Sequence, residues 1–239
     1  MTVAPALRAV VFDLDDTLTD HRSLQLEVEE EVVRLVCGQV PEAEAEEFSR
    51  RHLGSLTVLY DQWMRGELDE PGYHRARLAD ALAPWHVPGE QLVADYTELK
   101  RRMITEVRRA EGAAEAVAAV RAAGLRVGVL TNGMTDLQRD KLGRIGLGDA
   151  VDVFAASQDV GAVKPDPDAF AAVAERLGVG PQETAMVGDN PVNDIAGALG
   201  AGWAAAVLVA VDPPPLDLPS QAAVVASVGE APLALGLPG

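Results

Sequence analysis

The chain has 239 residues, 48% of them hydrophobic and 24% charged, which suits a folded domain with a sizeable core and argues against wholesale disorder. Its formal net charge of −17 repels polyanions, so neither a nucleic-acid polymer nor an anionic membrane is expected as a partner. The single cysteine, Cys37, excludes an intramolecular disulfide, and its apolar surroundings predict a buried structural thiol.

The sequence contains no stretch of about 18 uninterrupted apolar residues, so no membrane-spanning helix is predicted. The N-terminal stretch MTVAPALRAVVFDLDDT lacks the charged start, the long apolar run and the small-residue cleavage site of a secretory signal. We therefore expect a cytoplasmic protein, either a monomer or a homodimer.

The predicted elements begin with the apolar run AVVFDL at residues 9–14, which is typical of a strand buried on both faces. A helical region follows from about Arg22 to Arg109, and its glycine and proline breaks indicate about four helices. After Glu111 helices and strands alternate. The predicted helices are AAEAVAAVRAAG, TDLQRDKLGRIGLG, PDPDAFAAVAERLGV and PVNDIAGALGAG, and the predicted strands are LRVGVLTN, VDVFAAS, TAMVGDN, WAAAVLVA and, at an edge, QAAVVASV.

This alternation predicts a doubly wound α/β fold, in which a parallel sheet carries helices on both faces. The first strand belongs to the same sheet, because alone it cannot bury its two faces. Residues 1–19 and 110–239 are therefore predicted to form a Rossmann-like α/β core. Residues 20–109 are predicted to form a helical domain inserted after the first strand.

Polar side chains follow four of the predicted strands, at the point where each strand ends. They are Asp13 and Asp15 after the first strand, Thr131 and Asn132 after the second, Lys164 after the third, and Asp189 with Asp194 after the fourth. Because parallel strands end at one edge of the sheet, where such folds bind ligands, these side chains are expected to meet there.

Four carboxylates near one point, from Asp13, Asp15, Asp189 and Asp194, are expected to raise one another's pKa values. A hard divalent cation removes this conflict. Mg²⁺ prefers oxygen ligands, needs few protein carboxylates, and completes its shell with water and substrate phosphate. The sequence therefore predicts a Mg²⁺ site that involves these four residues.

The same residues suit phosphoryl transfer. Asp13 can act as the nucleophile and form an aspartyl-phosphate, while Asp15 can protonate the leaving oxygen and later deprotonate water. Lys164 supplies a fixed positive charge, and the Thr131 hydroxyl can donate to phosphate oxygens. Lys164, Thr131 and Asn132 are predicted to bind the phosphate of a small phosphorylated metabolite.

His21 and Arg22 stand where the chain enters the helical insertion. Either residue can contact an anionic leaving group, and the alternative is a solvated hinge. The insertion also holds all three tyrosines and two of the three tryptophans. These rings can stack on a base or a sugar, or they can form the core of a small helical domain.

The motifs resemble those of the haloacid dehalogenase superfamily over about residues 8 to 210. FDLDDTL resembles the first motif, in which Asp13 matches the nucleophile and Asp15 the general acid/base. LTN resembles the second motif, with Thr131 as the phosphate-binding residue, and VKPDP resembles the third, with Lys164.

GDNPVND resembles the fourth motif of that family, with Asp189 and Asp194 as its acidic pair. The resemblance implies Mg²⁺ held by the Asp13 carboxylate, the backbone carbonyl of Asp15 and Asp189. Asp194 is then expected to act directly, through water, or by orienting Lys164. The helices inserted after the first strand resemble the family's C1-type cap, which closes over the site and sets substrate choice.

The resemblance also narrows the activity. True haloacid dehalogenases lack an aspartate at the position of Asp15, so its presence favours phosphate esters over haloacids. A phosphatase of a nucleotide, phosphoglycolate or a sugar phosphate is the activity implied first. The alternatives are a phosphomutase of the same superfamily and, less favoured, a haloacid dehalogenase, a receiver-like phospho-acceptor module or a catalytically silent binding protein.

Overall fold

The computed structural model describes residues 7–54, 59–60, 62–63, 66–87, 89–210 and 218–238. The chain divides into two compact units, one formed by Met1–His21 with Val107–Gly239 and the other by Arg22–Glu106. We call them the sheet unit and the helical unit. Within the described residues, no helix is both long enough and apolar enough to cross a membrane.

Six parallel strands form the sheet, and their order confirms the predicted doubly wound α/β fold. The strand order is β3-β2-β1-β4-β5-β6, so β2 and β3 extend the sheet on one side of β1 and β4, β5 and β6 extend it on the other. The strands are β1 (Ala9–Phe12), β2 (Arg126–Thr131), β3 (Val153–Ala156), β4 (Thr184–Gly188), β5 (Ala205–Val209) and β6 (Ala222–Val225).

Besides the helical residues 59–60 and 62–63, the described part of the chain contains ten α-helices. They are α1 (His21–Leu35), α2 (Ala45–Gly54), α3 (Glu70–Leu82), α4 (Val93–Thr105), α5 (Ala113–Ala122), α6 (Thr135–Arg144), α7 (Ser157–Val160), α8 (Pro167–Leu177), α9 (Gly197–Gly200) and α10 (Ala231–Ala234). The predicted fourth helix of the sheet unit begins as a π-helical turn, Pro191–Ala196, and only its last part is α-helical.

The central strand β1 is buried on both faces, which explains its continuous apolar run. Val10 and Phe12 pack into a core cluster that includes the apolar face of α5, while Ala9 and Val11 pack into a second cluster that includes α8. The two layers anchor β1 from both sides. Its carboxyl end is therefore a rigid support for the residues that follow.

Helix α8 starts immediately after the segment that carries Lys164. The Asp166 carboxylate accepts a hydrogen bond from the Asp168 amide (3.0 Å), and Pro167 occupies the first turn, where its missing N–H costs nothing. The helix ends at Gly178, which adopts a left-handed conformation. These local signals fix where the chain leaves the sheet edge and returns along the sheet.

About four helices were predicted in the helical unit, and its described residues comprise α1 to α4 with the further helical residues 59–60 and 62–63. The expected break at Pro71–Gly72 falls inside the first turn of α3, because Asp69 caps that turn through the Gly72 amide (2.8 Å). Proline is tolerated there. Leu24, Val28 and Val32 recur at four-residue spacing along α1 and face the core of this unit.

Two sequence interpretations of the helical unit have different outcomes. Tyr73 and Tyr96 are buried, and the Trp63 ring stacks on Tyr73 with centroids 4.6 Å apart, as expected of a small helical core. The prediction of a buried Cys37 is wrong, since this residue is exposed. Helix α1 ends at Leu35, so the turn that follows carries Cys37 off the apolar face of the helix.

Candidate active site

A pocket opens at the carboxyl ends of the central strands and collects most of the predicted site residues. Its lining comprises Asp13, Asp15, Asp16, Thr131, Asn132, Lys164, Asp189, Asn190, Asn193 and Asp194. His21 also lies beside this group, with its Nδ1 3.4 Å from Oδ1 of Asp15. Arg22 belongs to the helical unit, and its contact with substrate stays a prediction.

Asp13 continues β1 by one residue into the pocket. Its amide donates to the Val187 carbonyl (2.8 Å), so the β1–β4 ladder brings it beside the end of β4. There the side chains of Asp189 and Asp194 meet it. One carboxylate oxygen from each of the three residues lies within 4.8 Å of the other two. An oxygen-only donor set of this kind suits a hard divalent cation.

Local backbone structure explains how Asp194 reaches this point. The Asn190 side chain accepts hydrogen bonds from the amides of Val192 (3.0 Å) and Asn193 (2.9 Å) and so caps the π-helical turn. Asp194 then folds back, and its Oδ2 accepts from the Asn190 amide (3.0 Å). A side chain at Gly188 would collide with the Asp194 carboxyl group, so this close approach requires glycine.

Lys164 is buried at the centre of the acidic group. Its Nζ donates to Oδ1 of Asp13 (2.5 Å) and to Oδ1 of Asp194 (2.6 Å). The Asn132 amide group holds the backbone of the lysine: Oδ1 accepts from the Lys164 amide (2.9 Å) and Nδ2 donates to the Lys164 carbonyl (3.1 Å). Asn132 therefore positions the lysine, a role that sequence analysis missed, while its predicted contact with substrate stays a prediction.

The three carboxylates share one lysine, and the pKa values of Asp13 and Asp189 reflect this shortage of positive charge. Burial raises the pKa of Asp13 well above its usual range, and the neighbouring Asp194 and Asp189 add to the effect of burial. Burial, with Asp194 and Asp16, raises the pKa of Asp189 to about 7. For Lys164 burial alone lowers the pKa, but Asp13 and Asp194 outweigh burial and raise it. An additional cation relieves this repulsion.

Asp15 departs from the expected cluster of four carboxylates. Its carboxylate oxygens accept from Lys141 Nζ (2.9 Å each) and from Gln138 Nε2 (3.0 Å). Burial tends to raise the pKa of Asp15, yet Lys141 and His21 outweigh burial and lower that pKa. The expectation that all four carboxylates raise one another's pKa values is therefore wrong for Asp15, because a dedicated cation stabilises its charge. Its predicted ligation of metal through the backbone carbonyl stays a prediction.

Gln138 and Lys141 are contacts that sequence analysis missed. Both are buried side chains on α6, the helix that follows β2. Gln138 Nε2 also donates to Thr131 Oγ1 (2.7 Å), so one amide joins the predicted phosphate-binding hydroxyl to the predicted acid/base. The one available signal was the i, i+3 spacing of two long polar side chains directly after the second motif.

Comparisons with known proteins agree with this geometry. The profile of a family described as haloacid dehalogenase-like hydrolase matches residues 7–202. A phosphoglycolate phosphatase of Escherichia coli K12 is 30% identical over 203 residues, which cover 82% of this chain and 79% of that protein. The crystal structure of a HAD phosphatase from Thermococcus onnurineus superposes with a TM-score of 0.67 at 26% identity, covering 96% of this chain and 98% of that one.

A third similarity is more local. A phosphoserine phosphatase of Thermus thermophilus is 46% identical to this chain over 86 residues. The matched segment is 36% of this chain and 34% of the length of that relative.

Proposed function

Because the chain belongs to the haloacid dehalogenase-like hydrolases and is a phosphatase of a small phosphorylated substrate, we propose that it works with Mg²⁺ and passes the phosphoryl group through Asp13. The observation that carries the proposal is the meeting of Asp13, Asp189 and Asp194 within 4.8 Å. Lys164 lies between two of them.

The donor set fits Mg²⁺. Carboxylate oxygens are its preferred ligands, and the raised pKa values of Asp13 and Asp189 indicate negative charge that one lysine does not balance. We propose that Asp13, Asp189 and the backbone carbonyl of Asp15 hold the ion, with Asp194 acting through Lys164. When bound, Mg²⁺ neutralises negative charge on these carboxylates and on the transferred phosphoryl group.

In the first proposed step a carboxylate oxygen of Asp13 attacks phosphorus, and the bond from phosphorus to the ester oxygen breaks. The ester oxygen takes a proton from Asp15 and leaves as an alcohol. Because Lys141 and His21 lower the pKa of Asp15 in the free protein, Asp15 must bind this proton when substrate occupies the pocket. Lys164 and the Thr131 hydroxyl point into the same pocket, where they can donate to the phosphoryl oxygens.

In the second step a water molecule attacks the phosphorus of phosphorylated Asp13 and gives its proton to the Asp15 carboxylate. The bond between phosphorus and the Asp13 oxygen breaks, which restores the free carboxylate and releases inorganic phosphate. Asp15 is again protonated, so the cycle closes without any further proton donor.

We propose a small metabolite as substrate, within the predicted range of nucleotides, phosphoglycolate and sugar phosphates. The phosphoglycolate phosphatase relative supports the second of these classes. The phosphomutase and receiver alternatives have no observation in their favour, and Asp15 counts against a dehalogenase because a departing halide needs no proton. The cytoplasmic location and the monomeric or homodimeric state stay predictions.

A panel of phosphorylated metabolites, assayed for phosphate with Mg²⁺ and with EDTA, tests the proposal. We expect phosphate release that requires Mg²⁺, and a phosphorylated peptide containing Asp13 after rapid acid quenching of a reaction with ³²P-labelled substrate. Isomerisation of a sugar phosphate without phosphate release would establish the mutase instead. Release that persists in EDTA, or label on a residue other than Asp13, would contradict the proposed mechanism.

A further inference from the structure

We propose that Gln138 and Lys141 are positioning residues that hold the Asp15 side chain in place for both proton transfers; the inference rests on the function proposed above. Neither side chain is among the residues that line the pocket. Both reach Asp15 from behind, from α6, and therefore act through Asp15 without touching the substrate.

Lys141 fixes the carboxyl group of Asp15 by a two-point contact. Its Nζ lies 2.9 Å from each carboxylate oxygen, so rotation of the carboxyl group would break at least one contact. The lysine is only 6% exposed. Burying an ammonium group without a partner is strongly unfavourable. An apolar residue would fill this place at lower cost if packing were its only role.

Gln138 links this contact to the phosphate side of the pocket. Its Nε2 lies within hydrogen-bond distance of Asp15 Oδ2 (3.0 Å), Thr131 Oγ1 (2.7 Å) and the Asn132 carbonyl (3.2 Å). An amide nitrogen has two hydrogens, so the three acceptor oxygens share them and all lie around this one nitrogen. The distance between Asp15 and the Thr131 hydroxyl is thereby set by a single side chain.

Gly133 makes room for this arrangement. A Cβ at that position would lie 2.8 Å from Cγ of Gln138, closer than side chains approach one another. The glycine of the sequence LTNG therefore lets the amide of Gln138 lie against the backbone at the end of β2. Helix α6 begins at Thr135, and its first two turns then present positions 138 and 141 on one face.

The consequence for catalysis depends on the leaving group. An alkyl alkoxide is a poor leaving group, so its ester oxygen must receive the Asp15 proton as the bond to phosphorus breaks. A 4-nitrophenolate ion leaves with little help. Misplacing Asp15 should therefore impair the transfer of phosphate from an alkyl ester much more than the transfer from an aryl ester. A general loss of structure would impair both transfers equally.

The test compares kcat/KM for glycerol 3-phosphate and for 4-nitrophenyl phosphate, since kcat/KM reports events up to the first irreversible step. For Lys141→Met and Gln138→Leu we expect a fall of about 10²-fold or more with the alkyl ester and of less than about 10-fold with the aryl ester. Lys141→Arg, which keeps a cation at this place, should recover most of the alkyl activity. With the aryl ester, acid quenching should also reveal more phosphorylated Asp13, because phosphorylation of Asp13 is little impaired while water activation by Asp15 slows.

Arg144→Met is the matched control, since Arg144 lies on the same helix and donates instead to the exposed Asp140 (3.0 Å). This variant should leave both rates unchanged. If the wild-type protein shows no Mg²⁺-dependent phosphate release, the function proposed above is wrong. An active wild type whose Lys141→Met and Gln138→Leu variants lose equal activity on the two esters, or lose none, would overturn the positioning inference alone. Thermal unfolding of each variant identifies any that fail to fold, and Lys141→Arg keeps the inference testable in that case.

Discussion

Each unit of the molecule buries a group of ionisable side chains, and the two groups differ in the sign of their excess charge. The sheet-edge cluster, formed by Asp13, Lys164, Asp189 and Asp194, has three carboxylates and one lysine. The helical cluster has one carboxylate and four basic side chains. Its members are Glu29, His52, His74, Arg77, Tyr96 and Lys100.

The helical cluster forms a chain of hydrogen bonds around His52. Its Nδ1 lies 2.8 Å from Glu29 Oε2, and its Nε2 lies 2.7 Å from the hydroxyl of Tyr96. Arg77 donates to the His52 carbonyl (3.0 Å), and His74 Nδ1 lies 3.0 Å from Thr97 Oγ1. Burial lowers the pKa of His52, and likewise that of His74, to about 4, so both rings stay neutral near pH 7 and add no charge.

Burial of charge therefore has opposite results in the two units. The helical cluster discharges its histidines and pairs its acid with His52, while its remaining cations, Arg77 and Lys100, lie over aromatic rings. The sheet-edge cluster keeps a surplus of carboxylates at an open pocket, and a bound cation would balance their charge. Uncompensated charge at a pocket, more than buried charge itself, distinguishes the candidate active site from a polar core.

The largest expected effect comes from changing one carboxylate to an amide in each cluster. Asp13→Asn removes the proposed nucleophile, so phosphate release should fall by at least about 10³-fold. Glu29→Gln makes the same chemical change in the helical cluster. We expect it to keep activity within about 10-fold of the wild type and to lower the free energy of unfolding by about 1–3 kcal/mol.

Steady-state phosphate release and urea denaturation of the two variants give the comparison. An Asp13→Asn protein with full activity would place the nucleophile elsewhere. A Glu29→Gln protein that is as stable as the wild type would show that the helical cluster is not held together by its acid.

Addition of Mg²⁺ should raise the free energy of unfolding of the sheet unit. A ligand present at about 100 times its Kd stabilises the folded state by about 2.7 kcal/mol. The wild type and His74→Gln should both gain this stability, while Asp189→Asn should lose most of it because one ligand is missing. Peptide-resolved hydrogen exchange in β1 and β4 measures the gain. Equal stabilisation of Asp189→Asn would remove Asp189 from the metal site.

The sequence was sufficient for the sheet and for the residues at its edge. Continuous apolar runs predict strands buried on both faces, and parallel strands end on one side by geometry alone. Asp13 and Asp189 each follow such a run directly, so their meeting required no knowledge of side-chain packing, whereas helix α7 separates Lys164 from β3. The strand order was not predicted, because it depends on whether each helical connection places the next strand on one side of β1 or on the other.

Contacts from helices were beyond sequence analysis. Lys141 reaches Asp15 across 126 residues, and whether a polar position on a helix faces solvent or a neighbour depends on how the helix rotates when it packs. The same holds for Glu29, His52 and Tyr96 in the helical cluster, which come from three different helices. Cys37 shows the complementary error: its apolar surroundings suggested a core position, but helix α1 ends at Leu35 and the residue is exposed.

Acidification from pH 7 to pH 5 should weaken the helical unit by about 2 kcal/mol for each of its two buried histidines. The pKa of His52 and that of His74 are each about 4 in the folded state, against about 6.5 for an unperturbed histidine. Between these values the unfolded chain binds more protons than the folded chain, so stability rises with pH, is complete above about 6.5, and is lost as the pH falls towards 4.

Hydrogen exchange of α2, α3 and α4 at the two pH values measures this loss of stability. His74→Gln should reduce the pH dependence, while the same change at the exposed His86 is the matched control. Exchange in these helices that is as slow at pH 5 as at pH 7, after correction for the intrinsic rate, would show that the buried histidines accept protons without cost.

The smallest expected effect is the energetic coupling between the two ends of the helical cluster. Tyr96→Phe removes the hydroxyl that meets His52 Nε2 and should cost about 1 kcal/mol, since it leaves one buried ring nitrogen without its partner. Glu29→Gln alters the opposite ring nitrogen. Because one imidazole joins both contacts, the double variant should differ from the sum of the single variants by about 0.5 kcal/mol or more. If urea denaturation shows that the double variant loses the sum of the two single losses in free energy of unfolding, the contacts of His52 with Glu29 and with Tyr96 are independent and do not form one connected network.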